Sequence, residues 1–196
     1  MTLLERIFSP RWFMPTAAFL VRAYLRLFPG LVVTGLDNVP DEGPAVVASN
    51  HVSFWDPPVV GVAIHRPLEF MGKAELFEKR FSAAVLRGLR VFPVDRERND
   101  IGAVKEAMRR LREGRVVGIF IQGTRNAGDA AALDGAAYLS QATGAPIVPT
   151  AIWRVGSAFH VSFGPPLAPP GKGRESIRQL TVETAAGIHS LLPDNA

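Results

Sequence analysis

The chain alternates short, continuously apolar runs with longer stretches in which apolar residues return every three or four positions. The runs at 31–35, 45–49, 68–71, 91–94, 116–121, 147–152 and 160–163 read as strands, punctuated by Gly, Pro, Asp and Asn turns. Helical patterns fill the intervals at 57–64, 81–89, 100–113 and 130–143, with a last one at 174–192. Strands apolar on both sides and separated by helices predict a sheet covered on both faces, so the expected class is α/β. Residues 164–173 are rich in proline and predict a surface loop.

The first 30 residues follow a different pattern. Trp12, Phe13, Phe19, Leu20, Tyr24, Leu25, Leu27 and Phe28 crowd among Arg6, Arg11, Arg22 and Arg26, with Glu5 as the single acid. Short amphipathic helices of this composition lie in a membrane interface, here broken near Pro10 and Pro15. A helical pair packed on the core is the alternative. A secretory signal does not fit, because Arg22 and Arg26 interrupt the apolar stretch. No run of about 18 apolar residues predicts a spanning helix.

Composition narrows the chemistry. A chain of 196 residues, 47% hydrophobic and 20% charged, makes about one domain with a sizeable core. The net charge is +4, and 18 of the 22 basic residues are arginine, whose planar fork suits phosphate and carboxylate partners. Nucleic acid is not an expected partner, since the arginines are dispersed and no basic helix or zinc-finger spacing appears. The absence of cysteine removes disulfides, thiolate metal sites and a cysteine nucleophile. His51, His65, His160 and His189 have no ligand spacing, so no metal is expected.

Directly after the apolar run at 45–49 comes Asn50-His51-Val52-Ser53-Phe54-Trp55-Asp56. Residues five apart stand about 140° around a helix, so His51 and Asp56 can meet only across a loop. Asp56 before Pro57 and Pro58 reads as a helix N-cap. The junction is therefore strand, loop, helix, at the strand edge where α/β sheets bind ligands. Two readings stand at this point: a base with its orienting carboxylate, or a capping Asp56 beside a packed His51. Ser53 reads as a loop hydrogen-bonding residue, and no GxSxG supports a serine nucleophile.

Taken together, four blocks resemble the PlsC-type glycerolipid acyltransferases, the 1-acylglycerol-3-phosphate O-acyltransferase family. Asn50 to Asp56 is similar to the NHxSxxD signature, Val91-Phe92-Pro93-Val94-Asp95-Arg96 to the second block, Phe120-Ile121-Gln122-Gly123-Thr124-Arg125-Asn126 to the third, FPEGTRS, and Ala145 to Ala151 to the fourth. Lys73-Ala74-Glu75-Leu76-Phe77 resembles the KxELF element between the first two. The resemblance covers residues 33–167. It implies a single domain with a mixed, mostly parallel sheet flanked by helices, residues 31–196 forming the acyltransferase domain and 1–30 the membrane-interface segment.

The resemblance also implies roles. His51 is the general base and Asp56 its orienter; Arg96 and Arg125 clamp a phosphate; Gln122, Gly123, Thr124 and Pro149 contribute to the acceptor site. Asn50, Ser53, Phe54, Trp55 and Lys73 are expected to support the site or meet the acyl chain. The implied reaction moves a fatty acyl chain from acyl-CoA or acyl carrier protein to a lysophospholipid hydroxyl, above all that of 1-acylglycerol 3-phosphate to give phosphatidic acid, at the cytoplasmic side of a membrane, without a cofactor. The chain departs from the pattern at Gln122, where the family has glutamate, and at Ile121, where it has proline. An amide cannot take a proton or pair with arginine as a carboxylate does, so another lysolipid or a secondary-metabolite acceptor is the alternative. A non-catalytic lipid-binding protein on the same fold is the rival from another class.

Overall fold

The central strand shows how the sequence builds the sheet. In β2, Ala45–Asn50, all six residues are buried. Ala45 and Val47 belong to one core, Val46 and Ala48 to the other, because successive side chains point to opposite faces. A computed structural model describes residues 7–8, 12–51, 53–94, 101–121 and 127–193.

Strands β1 (Leu31–Thr34), β3 (Leu68–Lys73), β4 (Val91–Val94), β5 (Val116–Ile121), β6 (Ile147–Val155) and β7 (Ala158–Phe163) complete a seven-stranded sheet ordered β1-β7-β6-β2-β5-β3-β4. Every neighbouring pair is parallel except β6 with β7, an antiparallel hairpin turning at Gly156 and Ser157. The described helices are α1 (Phe13–Leu27), α2 (Asp56–Ala63), α3 (Arg80–Gly88), α4 (Ile101–Arg112), α5 (Ala127–Thr143) and α6 (Arg174–Leu191). On one face α1 and α2 place Leu25, Val59, Val60 and Val62 over Val47, Leu68, Ile152 and Val161. On the other, α4, α5 and α6 place Ala107, Leu111, Leu133, Leu180 and Ile188 over Val46, Val117, Ile119 and Ile147. The α/β class and the mixed, mostly parallel sheet are as expected.

Two expectations are corrected in detail. Helix α1 runs unbroken through Pro15, the third residue of the helix, where the missing N–H falls among groups that have no intrahelical partner. Pro10 lies outside the described residues. β6 and β7 reach further toward each other than 147–152 and 160–163, because Trp153 to Val155 pair across the hairpin with Ala158 to His160. Within the proline-rich loop, Leu167 exchanges two backbone hydrogen bonds with Ile147 and so pins the loop to the sheet. None of the described helices is long and apolar enough to cross a membrane.

Candidate active site

His51 leaves the sheet where β2 ends, and the residue before it makes that exit sharp. Asn50 donates its side-chain N–H to the Ile152 carbonyl at 2.8 Å and accepts the Ile152 N–H at 2.7 Å. Its amide thus imitates a peptide group and carries the β2–β6 ladder beyond Ser49 and Thr150, the last backbone pair. The start of the loop is fixed to the sheet's centre.

The loop then folds back on itself. Asp56 donates its N–H to the Ser53 carbonyl at 3.1 Å, and the Ser53 hydroxyl accepts the Trp55 N–H at 3.2 Å. Asp56 Oδ2 accepts the Ser53 N–H at 2.7 Å and faces His51 Nδ1 at 2.9 Å. One expectation is corrected here: the N-cap of α2 is Trp55, and Asp56 is the helix's first residue, its carboxylate turned backward to the loop.

These contacts decide the proton's place. Oδ2 already acts as an acceptor toward Ser53, so the bond to His51 places the imidazole proton on Nδ1 and leaves Nε2 able to take one. Burial supports the division of labour: the Asp56 side chain is 1% exposed and that of His51 25%. The orienter is sealed from water while the base reaches the surface.

Phe120 lies beneath the base. Its ring stands 5.0 Å from the His51 ring and stacks on Phe70 at 5.4 Å. Gly118 makes room for this stack, since a Cβ there would come 2.8 Å from the Phe70 ring. Phe120 opens the third block with no role assigned to it; what brings it to His51 is the register, Ser49 opposite Phe120 and Asn50 opposite Ile121. Two adjacent parallel strands end together at the site.

Beside the pair lies an exposed apolar surface. Trp55 stacks on Tyr24 of α1 at 6.5 Å, and Tyr24 meets Phe28 at 5.4 Å. Phe54 is 92% exposed, and Phe19, Leu20, Leu27 and Phe28 of the same region are exposed as well. Helix α1 packs on the core through Leu25 and leaves Phe19, Leu20, Leu27 and Phe28 exposed on its outer side.

Other expected residues are distributed unevenly. Arg96, Gln122, Gly123, Thr124 and Arg125 lie outside the described residues, as does the side chain of Lys73, the last residue of β3. The chain enters residues 122–126 from Ile121, which pairs with Asn50. Pro149 is not brought to the pair. It is buried in β6 and packs on Gly187 of α6, on the face of the sheet opposite α2.

Among the described residues, no group of three His, Asp or Glu is placed to hold a metal. A cleft of about 300 Å³ lined by Glu69, Arg87, Arg90, Val91, Arg110 and Arg115 sits at the other edge of the sheet, where β3, β4 and β5 begin. Nearby on α4, Glu106 is pulled down from 4.5 to about 2, chiefly by its hydrogen bond from Arg109. Both features belong to an ion cluster distant from His51.

Residues 30–153 match the model of the acyltransferase family. A 1-acyl-sn-glycerol-3-phosphate acyltransferase of Bacillus subtilis is 34% identical over 132 residues, covering 67% of this chain and 66% of the relative. Another, from Borreliella burgdorferi, is 29% identical over 133 residues, covering 66% and 53%. The aligned stretch thus spans somewhat under two thirds and about half the length of these curated relatives. The crystal structure of the 1-acyl-sn-glycerophosphate (LPA) acyltransferase PlsC from Thermotoga maritima superimposes with a TM-score of 0.70 at 22% identity, covering 95% of this chain and 82% of that one. That superposition speaks for the fold.

Proposed function

The chain belongs to the acyltransferase family, and from that membership we propose that it transfers a fatty acyl chain from a thioester to the hydroxyl of a lysophospholipid. The acceptor we assign is 1-acylglycerol 3-phosphate, the product phosphatidic acid; the names of the two curated relatives support this choice. The observation that carries the reading is the 2.9 Å bond between His51 Nδ1 and the buried Asp56.

The reaction follows from that pair. His51 Nε2 takes the proton of the acceptor hydroxyl as its oxygen attacks the thioester carbonyl. The imidazolium so formed is steadied by Asp56, which also holds the ring in the tautomer that leaves Nε2 free. The tetrahedral intermediate collapses, the C–S bond breaks, and the thiolate leaves as a thiol with the proton from His51. Thioesters are already activated, so alignment and a base supply what the protein must add. No nucleophile of the protein and no cofactor enters; the donor, acyl-CoA or acyl carrier protein, is a substrate.

In this reading Arg96 and Arg125 hold the acceptor phosphate, with Gln122, Gly123 and Thr124 completing its cradle. The exposed side of α1, with Phe54 and Trp55, seats the protein peripherally on the cytoplasmic lipid surface, which lets a lysolipid reach His51 without leaving the membrane. A second reading keeps the chemistry and changes the acceptor, and Gln122 motivates it.

An acceptor panel with and without phosphate separates the two. Thiol release should require 1-acylglycerol 3-phosphate and fall at least about tenfold with its dephosphorylated analogue, the size of one lost charge-assisted contact. Equal rates with both would remove the phosphate clamp and favour the other acceptor.

A further inference from the structure

The helix that carries Asp56 is held at its far end by a residue of another helix. α2 has only eight residues and begins with two prolines in its first turn. A helix that short does not persist by itself, so its position is set by whatever holds its ends. At the C-terminal end Val62, Ala63 and Ile64 are buried, with carbonyls that the helix itself leaves unpaired. Arg22 of α1 takes two of them: Nε donates to the Val62 carbonyl at 2.9 Å, and Nη2 donates to the same oxygen and to that of Ile64 at 3.3 Å. A guanidinium at this end also meets the negative end of the helix dipole.

Helix α1 grips the same unit twice. Two residues after Arg22, Tyr24 stacks on Trp55, the residue immediately before Asp56. α2 spans about 12 Å at 1.5 Å per residue and is anchored in the middle by Val59 and Val60, both fully buried. A tilt about that anchor moves both ends, so a change at Val62 is felt at Asp56.

We propose that Arg22 is a positioning residue for the catalytic pair: by fixing the C-terminal end of α2 it sets Asp56 at hydrogen-bonding distance from His51 Nδ1 and thereby fixes the imidazole tautomer. The inference rests on the reading of His51 as general base. The hydrogen bonds of Arg22 go to Val62 and Ile64, so it acts through α2. Its consequence reaches further, because the helix assigned to meet the lipid surface is then the one that holds the catalytic helix in place.

The test reads the tautomer directly and the turnover separately. In protein labelled with ¹⁵N at histidine, the His51 ring nitrogens are identified among the four histidines by their loss in His51→Gln. Wild type should show the proton on Nδ1. Arg22→Met should show a mixture of tautomers and a kcat about tenfold or more lower with acceptor KM unchanged, the split expected when reacting groups are misplaced without loss of binding. Arg22→Lys, which keeps the charge and a donor, should restore the wild-type spectrum and most of kcat. A folded Arg22→Met with the wild-type spectrum overturns the proposal, whether or not its kcat falls, and so does an altered spectrum with unchanged kcat. If Arg22→Met does not fold, Arg22→Gln is read in the same way, since its amide still reaches one carbonyl. The spectrum needs no substrate, so a chain that moves no acyl group would contradict the proposed reaction while leaving Arg22 to be judged by the tautomer alone.

Discussion

Two buried carboxylates of this chain carry opposite assignments. Asp56 accepts from Ser53 and His51 with one oxygen and is assigned to chemistry. Glu69, 1% exposed, accepts from Arg90, Arg110 and Arg115 and ties β3 to the starts of β4 and β5 and to the end of α4. Removing the charge of Glu69 leaves three guanidinium groups facing one another. Glu69→Gln should therefore lose about 3 kcal/mol in urea unfolding, the low end for a broken buried pair because the arginines are partly solvated. An unchanged midpoint would mean the cluster is neutral to stability. His51 and Asp56 were legible in the sequence because their spacing forbids a helix and two prolines mark the helix start. Asn50 was legible as a supporting residue through the family resemblance, but its bonds to Ile152 and the ring of Phe120 meeting His51 from β5 were not, since both depend on register between distant segments.

At the scale of elements, α1 shows what local pattern leaves open. Its composition marked an amphipathic helix, but which residues turn inward depends on α2, to which Arg22 and Tyr24 bind. Leu25 is fully buried, whereas Phe19 and Leu20 are 70% and 61% exposed. Burial of such side chains in an interface is worth about 1.5–3 kcal/mol each at most. Phe19→Ser with Leu20→Ser should thus weaken binding to anionic phospholipid vesicles at least about tenfold in a sedimentation assay while the fold is kept. Unaltered sedimentation would take the lipid surface away from α1. The hairpin of β6 and β7 was read too short for a related reason. Arg154 and Val155 are exposed near its tip, so the apolar run ends before the strand does.

For the molecule as a whole, the sequence disclosed the class and hid the order of the strands. Continuous apolar runs say that both faces of the sheet are covered, yet any of those strands could lie beside β2. The observed neighbours, β5 and β6, determine the site: one ends level with Asn50, and the other receives its side chain. This order sets the ends of β2 and β5, which lead into the first and third blocks, level with each other. The central claim is that His51 is the base for acyl transfer at that edge. Thiol release from an acyl-CoA or acyl carrier protein donor in the presence of 1-acylglycerol 3-phosphate tests it most directly, in wild type and in a folded His51→Ala. The account predicts phosphatidic acid from wild type and a turnover lower by about two to four orders of magnitude in the variant. A His51→Ala protein that works at the wild-type rate would contradict it.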